Sequence, residues 1–482
     1  MKYRIVVLGL TLWVVSVYSQ NSFPEMHGLP VRNYGMHIPW SDFEKAYIAV
    51  RHGHPLDEAL FTILNNFSPN GICFGMSALA GAVYDEGGYL GICKPVSAYA
   101  SSDTARGRDT LIEIWPTMKS AILTLWCRQF SPPVVRIVAE AVSSGYFKNP
   151  VGAARKVSYY LSSNEIPILL ISEKMGTGGF GGMHAILPYR VDDNGSQYLI
   201  RVYDPTWPYQ VSPEFYDTSG NVVIVDKSSN TWSYYWPDNK HWTGFIYVVP
   251  GRYVLLPATN PLLISEIASA VGQVIVNGGH VKVIRDRTKE LELTENGPFY
   301  TKNGRTLIFR WMPIDGNAGN GELYIVTGGY GHELEIEFDP ADSNSELNIA
   351  YMGKLVKVSD SRTPFTLTLN GFGKGDELLS LKPKNGEVTF NIAVHSELAN
   401  GEVRSAELKG VMSESGFKLS FNSELKTIEM KGEVRLADVE FYRFDGENRW
   451  HGNGFVELED EWIPAFLWRG TGLAAKIEEN EP

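Results

Sequence analysis

Three residue types in this 482-residue chain can do acyl chemistry together: a cysteine, a histidine and a carboxylate. Cys73 lies in Ser68-Pro-Asn-Gly-Ile-Cys-Phe-Gly-Met-Ser77, whose Pro, Asn and Gly mark a loop. The stretch Ala78-Leu-Ala-Gly-Ala-Val-Tyr84 is small and apolar and reads as a buried helix of about three turns. Cys73 therefore falls at a loop-to-helix junction. The unpaired N–H groups and partial positive charge of a helix start stabilise a thiolate, and a thiolate is a nucleophile. On the local sequence alone a second reading stays open, in which Cys73 is a small apolar core side chain.

A nucleophilic cysteine needs a histidine to take its proton and return it to the leaving group, and a third group to orient the imidazole. Met183-His-Ala-Ile-Leu-Pro-Tyr-Arg-Val191 reads as a strand, Asp192-Asp-Asn-Gly195 as a hairpin turn, and Tyr198-Leu-Ile-Arg-Val-Tyr203 as the return strand. His184 is 8 residues before Asp192, and Asp204 is 9 after Gly195. Counting back from the turn puts both near the open end of one hairpin, within side-chain reach if the register is simple.

The elements that must hold these residues follow from the rest of the chain. Residues 20–40 form an extended lead-in rich in Pro, Gly and His, and Ser41-Asp-Phe-Glu44 is a capping-box start. Helical spacing recurs over Pro55–Leu64, Leu111–Leu125, Val134–Val142 and Val151–Leu161, so this region is mainly helical up to the strand Ile166–Ile171. Gly176-Thr-Gly-Gly-Phe-Gly-Gly182 lacks the Lys-Ser/Thr ending and following helix of a phosphate loop. It reads as a mobile loop or as backbone that approaches a substrate chain closely. Trp232, Tyr234, Tyr235, Trp236 and Trp242 are read as packing, with Trp207 and Trp242 as a second-choice roof over a cleft.

After a linker at 251–261 the sequence is β-type, with period-two segments such as Glu333–Phe338, Phe365–Leu369 and Val388–Val394. Turn glycines recur at Gly371, Gly386, Gly401, Gly416 and Gly432, which predicts evenly spaced strands in a sandwich or meander. The expected role of these modules is adhesive, spacing or stabilising, with a glycan or protein as ligand.

Composition excludes some functions. A net charge of −12 and a pI near 5.4, with no Lys/Arg-rich run, argue against nucleic acid as partner. Met1-Lys-Tyr-Arg followed by apolar Ile5–Val17 reads as a secretory signal, with the mature chain from about Gln20; an uncleaved anchor is the alternative. A segment that short is no ordinary membrane span, so none is expected after signal removal. Of the three cysteines, Cys93 and Cys127 offer one conceivable bridge that would leave Cys73 as the reactive thiol. His52-Gly-His54 has no ligand-spaced carboxylate or thiol nearby and is read as a solvated turn. No metal or cofactor is called for.

The order Cys, His, Asp, with a helix-borne nucleophile and strand-borne partners, is that of papain. The blocks Asn70-Gly-Ile-Cys-Phe-Gly-Met-Ser77, Met183–Val191 and Tyr198–Pro205 resemble papain-like cysteine peptidases, closest to the bacteriocin-processing bacterial group, in which Asp-Pro replaces papain's Asn. The resemblance covers residues 55–250. It implies Cys73 as nucleophile, His184 as general acid/base and Asp204 as orienter, acting on a peptide or protein substrate. Papain's own Cys-Gly-Ser/Ala-Cys signature is absent, and Phe67 stands where the family has its oxyanion-hole glutamine. Asn66 and Asn70 flank that position and are the candidate donors, Asn70 serving equally as a turn residue.

The expected architecture is therefore multidomain: a signal at 1–19, a lead-in at 20–54, an α+β papain-like domain at 55–250 with N-terminal helices and an antiparallel sheet, a linker at 251–261, and one or two all-β sandwich-like modules at 262–482. The expected function is that of an exported cysteine hydrolase, a peptidase acting through an acyl-enzyme. Two rivals stand beside it: acyl transfer to an amine, as in transglutaminase-like proteins, and a non-enzymatic binding protein on a degenerate papain-like scaffold.

Overall fold

The structure, a computed structural model, describes residues 23–457 apart from internal stretches, the longest being 97–115, 258–270 and 312–320. The expected signal at 1–19, Cys93 and Gly371 lie outside the described residues.

The Cys73 helix runs Cys73–Glu86, and residues 73–83 are all buried. Its sequence is apolar all round, which suits a helix enclosed on every side. Gly75 permits its close approach to the helix Pro116–Cys127: a Cβ there would lie 2.2 Å from the Ile122 carbonyl oxygen. Around this pair stand the helices Trp40–Ala46, Pro55–Phe67 and Pro132–Ser143, while the helix Pro150–Ser162 packs on the far face of the sheet that follows. The lead-in is part of this body, with Phe23, Leu29, Ile38 and Phe43 buried in the same core as the Cys73 helix.

Next comes a seven-stranded antiparallel sheet: β1 (Ile168–Gly176), β2 (Gly179–Asp193), β3 (Gln197–Tyr203), β4 (Val222–Asp226), β5 (Thr231–Tyr235), β6 (His241–Trp242) and β7 (Ile246–Val249). The order is β6-β5-β4-β3-β2-β1-β7. The sheet curls, because the chain after β6 returns to β1 through Thr243 N to Glu173 O at 3.1 Å and Gly244 N to Ser172 O at 2.9 Å. Period two sorts β2 between two cores. Met183, Ala185 and Leu187 pack with the Cys73 helix, whereas Ile186 joins Ile200, Val202 and Ala153 of the helix Pro150–Ser162.

The glycine-rich stretch is not a free-standing loop. Met175 pairs with Phe180, Gly176 with Gly179 and Lys174 with Gly181, so Gly176, Gly179 and Gly181 extend the β1–β2 hairpin and His184 lies well inside β2 rather than at a strand start. The expected linker also differs: Gly251–Leu255 is a short helix with Val254 buried, and the Arg128 guanidinium donates to the Val254 and Leu255 carbonyls at 3.2 and 2.6 Å.

Between Val271 and Glu457 the described strands form a seven-stranded and a ten-stranded antiparallel sheet that share one core, including Val274, Ile284, Ile336, Phe365 and Phe390. Gly386, Gly401 and Gly416 have positive φ as turn glycines, whereas Gly432 ends a strand paired to Phe417. The outer face of the ten-stranded sheet is apolar too. Ile275, Leu307, Phe309, Leu323 and Ile325 share the core of the helical layer. The β sandwich is thus seated on the helices, with Phe147 edge-on to Tyr300 and Arg51 over Phe444. No helix among the described residues is long and apolar enough to cross a membrane.

Candidate active site

Cys73 opens its helix, directly after the 3-10 turn Ser68–Asn70 and the N-cap Ile72. β3 ends at Tyr203 opposite Leu187, so the peptide groups of β2 before Leu187 are open to the helix on that side. Ala185 uses this freedom twice. Its N–H donates to Cys73 Sγ at 3.3 Å, and its carbonyl accepts from Ser77 Oγ at 3.1 Å. The sulfur is therefore held at the residue that follows His184.

His184 Nε2 lies 2.8 Å from Asp204 Oδ1, and neither side chain has any exposed surface. The hairpin count placed the pair correctly, although a bulge between Pro188 and Arg190 shifts the register. Asp204 is held by more than the histidine. Thr206 N–H donates to Oδ1 at 2.8 Å, while Tyr234 OH and Trp236 Nε1–H donate to Oδ2 at 2.8 and 2.9 Å. Burial opposes ionisation of this carboxyl, but the His184 charge and these hydrogen bonds outweigh it and hold Asp204 below its ordinary pKa. A charged Asp204 fixes the imidazole with its proton on Nε2, leaving Nδ1 as the basic nitrogen.

Trp236 stands edge-on to His184 at 5.2 Å between ring centroids, with Trp242 tilted against it at 5.6 Å and the Lys240 ammonium over both indoles. Trp242 is buried in the core with Ile171 and Ile186, as the packing reading had it, and Trp207 packs on Trp236 at 6.0 Å. Tyr203 completes the wall toward Cys73. Burial holds its phenol protonated, and Leu29 N–H donates to its oxygen at 3.1 Å. Cys73, His184 and Asp204 are all 0% exposed.

The oxyanion candidates fare differently. Asn66 is half-buried in the last turn of the helix Pro55–Phe67, and the side chain of Asn70 lies outside the described residues. Cys127 is a free, buried thiol rather than half of a bridge, and burial pushes its pKa up, the opposite of a nucleophile's setting. Among the described residues no group of three or more His, Cys, Asp or Glu is placed to hold a metal ion; His52 packs edge-on to Trp40, and His54 lies outside the described residues.

Sequence reasoning missed Tyr234 and Trp236 as partners of Asp204. Their one local signal is alternation within β5, which puts Tyr234 on the buried side, and nothing in it points to a carboxylate at the end of β3, two strands away. No protein-family model, curated protein or solved structure matches the chain.

Proposed function

We propose that this chain is a papain-like cysteine hydrolase that cleaves amide bonds, with Cys73 as nucleophile, His184 as general acid/base and Asp204 as orienter. The observation that carries the reading is the buried His184–Asp204 pair, set one residue from the peptide N–H that holds Cys73 Sγ at 3.3 Å. A helix start and an imidazole anchored by a carboxylate are the two devices that activate a thiol. In this reading the Cys73 thiolate attacks the amide carbonyl and the His184 imidazolium protonates the departing amine. Water, deprotonated by the same imidazole, then releases the acyl group.

Support for a peptide substrate comes from the resemblance of the Cys73, His184 and Asp204 blocks. The secretory pattern at 1–19 supports a location outside the cell or in its envelope. The experiment is digestion of a complex peptide mixture with the full chain, new termini being read by mass spectrometry. New termini from the wild type that vanish with Cys73→Ser support the hydrolase. Products carrying an added amine would identify an acyl transferase instead.

A second reading is favoured by one observation, the complete burial of all three side chains. In it the domain is a scaffold, and the sandwich seated on it binds a glycan or protein. A peptide mixture left untouched by the wild type, together with an ordinary Cys73 thiol, would favour this alternative.

A further inference from the structure

We propose that Asn33 is a positioning residue for Cys73, tying the start of the nucleophile's helix to the turn that carries Asp204; the inference rests on the reading of Cys73 as nucleophile. Asn33 Oδ1 accepts the N–H of Ile72 at 2.8 Å, and Asn33 N–H donates to the Pro205 carbonyl at 2.8 Å. Ile72 is the N-cap immediately before Cys73, and Pro205 immediately follows Asp204. One residue thus reaches both sides of the site.

The chemistry of the helix start makes this more than a tether. Ile72 has no side-chain oxygen to cap the first turn, so the loop before Cys73 lacks the usual internal fastening. The Asn33 carboxamide supplies an acceptor from outside. Its neighbours press the same strap onto the same loop: Met36 N–H donates to Ser68 O at 3.2 Å, and a Cβ on Gly35 would fall 1.6 Å from the Pro69 carbonyl oxygen. Farther along, Ile38 and Asn65 exchange two hydrogen bonds at 2.7 and 3.2 Å, which anchors the strap away from Cys73. Releasing the Ile72 N–H lets the loop move and shifts the helix start, and Cys73 with it, relative to the Ala185 N–H that holds the sulfur at 3.3 Å. Misplacement on the scale of an ångström is enough to weaken an activated pair.

The test is a titration of the Cys73 thiolate by its ultraviolet absorbance in the full chain, taken as a difference against Cys73→Ser. Asn33→Ala removes the acceptor and keeps the backbone bond to Pro205. It is expected to move the titration up by about one pH unit, roughly tenfold less thiolate on the acid side. Asn65→Ala loosens the strap elsewhere and is expected to lower Tm without moving the titration. Should Asn33→Ala fail to fold, Asn33→Ser keeps a shorter acceptor and is expected to give a smaller upward shift. A variant at Asn33 that lowers Tm but leaves the titration in place overturns the proposal and makes Asn33 a structural residue. An ordinary thiol titration in the wild type overturns the nucleophile reading itself, and this proposal with it.

Discussion

Tyr234 OH donates to Asp204 Oδ2 at 2.8 Å, and both side chains are fully buried. The phenol therefore stabilises the ionised carboxylate in a place where water does not reach it. Hydrogen bonds to charged groups contribute about 1.5–3 kcal/mol, so Tyr234→Phe is expected to lose stability in that range at neutral pH. The sign with pH follows from the depressed Asp204 pKa. Its contribution is present above the unfolded carboxyl pKa and is lost as pH falls through the folded one. In Tyr234→Phe the folded pKa rises toward the ordinary value. The gap between wild type and variant in urea unfolding should thus be largest near neutrality and narrow in acid; a gap that widens in acid would contradict the assignment.

Gly75 tests the packing of the Cys73 helix. Gly to Ala inside a helix is ordinarily stabilising by about 1 kcal/mol. Here the new Cβ would meet the Ile122 carbonyl at 2.2 Å, and backbone has little room to give. Overpacking of this kind costs about 1–3 kcal/mol, so Gly75→Ala is expected to lower Tm. A raised Tm would show that the two helices stand farther apart.

Asp57 gives a pH prediction of the opposite sign to Asp204. It accepts the Arg51 N–H at 2.9 Å near the ten-stranded sheet, and burial, with the charges of Glu397 and Glu58 adding to it, raises its pKa from 3.8 to about 7. The folded chain then holds a proton there that the unfolded chain has lost, so stability from this group falls as pH rises through that window. Asp57→Asn keeps an acceptor for Arg51 and removes the charge. Its Tm is expected to exceed that of wild type at about pH 8 and to converge on it only at about pH 3, below the unfolded carboxyl pKa. Equal Tm values at both pH values would show that Asp57 ionises normally.

Much of the site was legible because its signals are local. Turn chemistry before an all-round apolar run gave the Cys73 helix, and a hairpin with an Asp-Asp-Asn-Gly turn brought His184 and Asp204 together. What was not legible arrives from a distance. Tyr234 is 30 residues beyond Asp204, and Asn33 is 39 before Ile72, and neither spacing carries a pattern. The glycines of 176–182 looked like a loop because they have no side chains to show alternation, yet Gly176, Gly179 and Gly181 pair as backbone. Docking of the sandwich was written in the sequence but went unread. Runs such as Leu307-Ile-Phe309 and Leu323-Tyr-Ile-Val326 are apolar on both faces, which marks strands covered on both sides.

The central claim is that Cys73 and His184 work as an activated pair, and titration of the thiolate by ultraviolet absorbance, in wild type and His184→Ala, tests it without any substrate. The account predicts a thiolate signal that persists well below about pH 7 in the wild type and collapses in the variant. A single transition near about pH 8.5, the same in both proteins, would contradict it and leave Cys73 as a buried core residue.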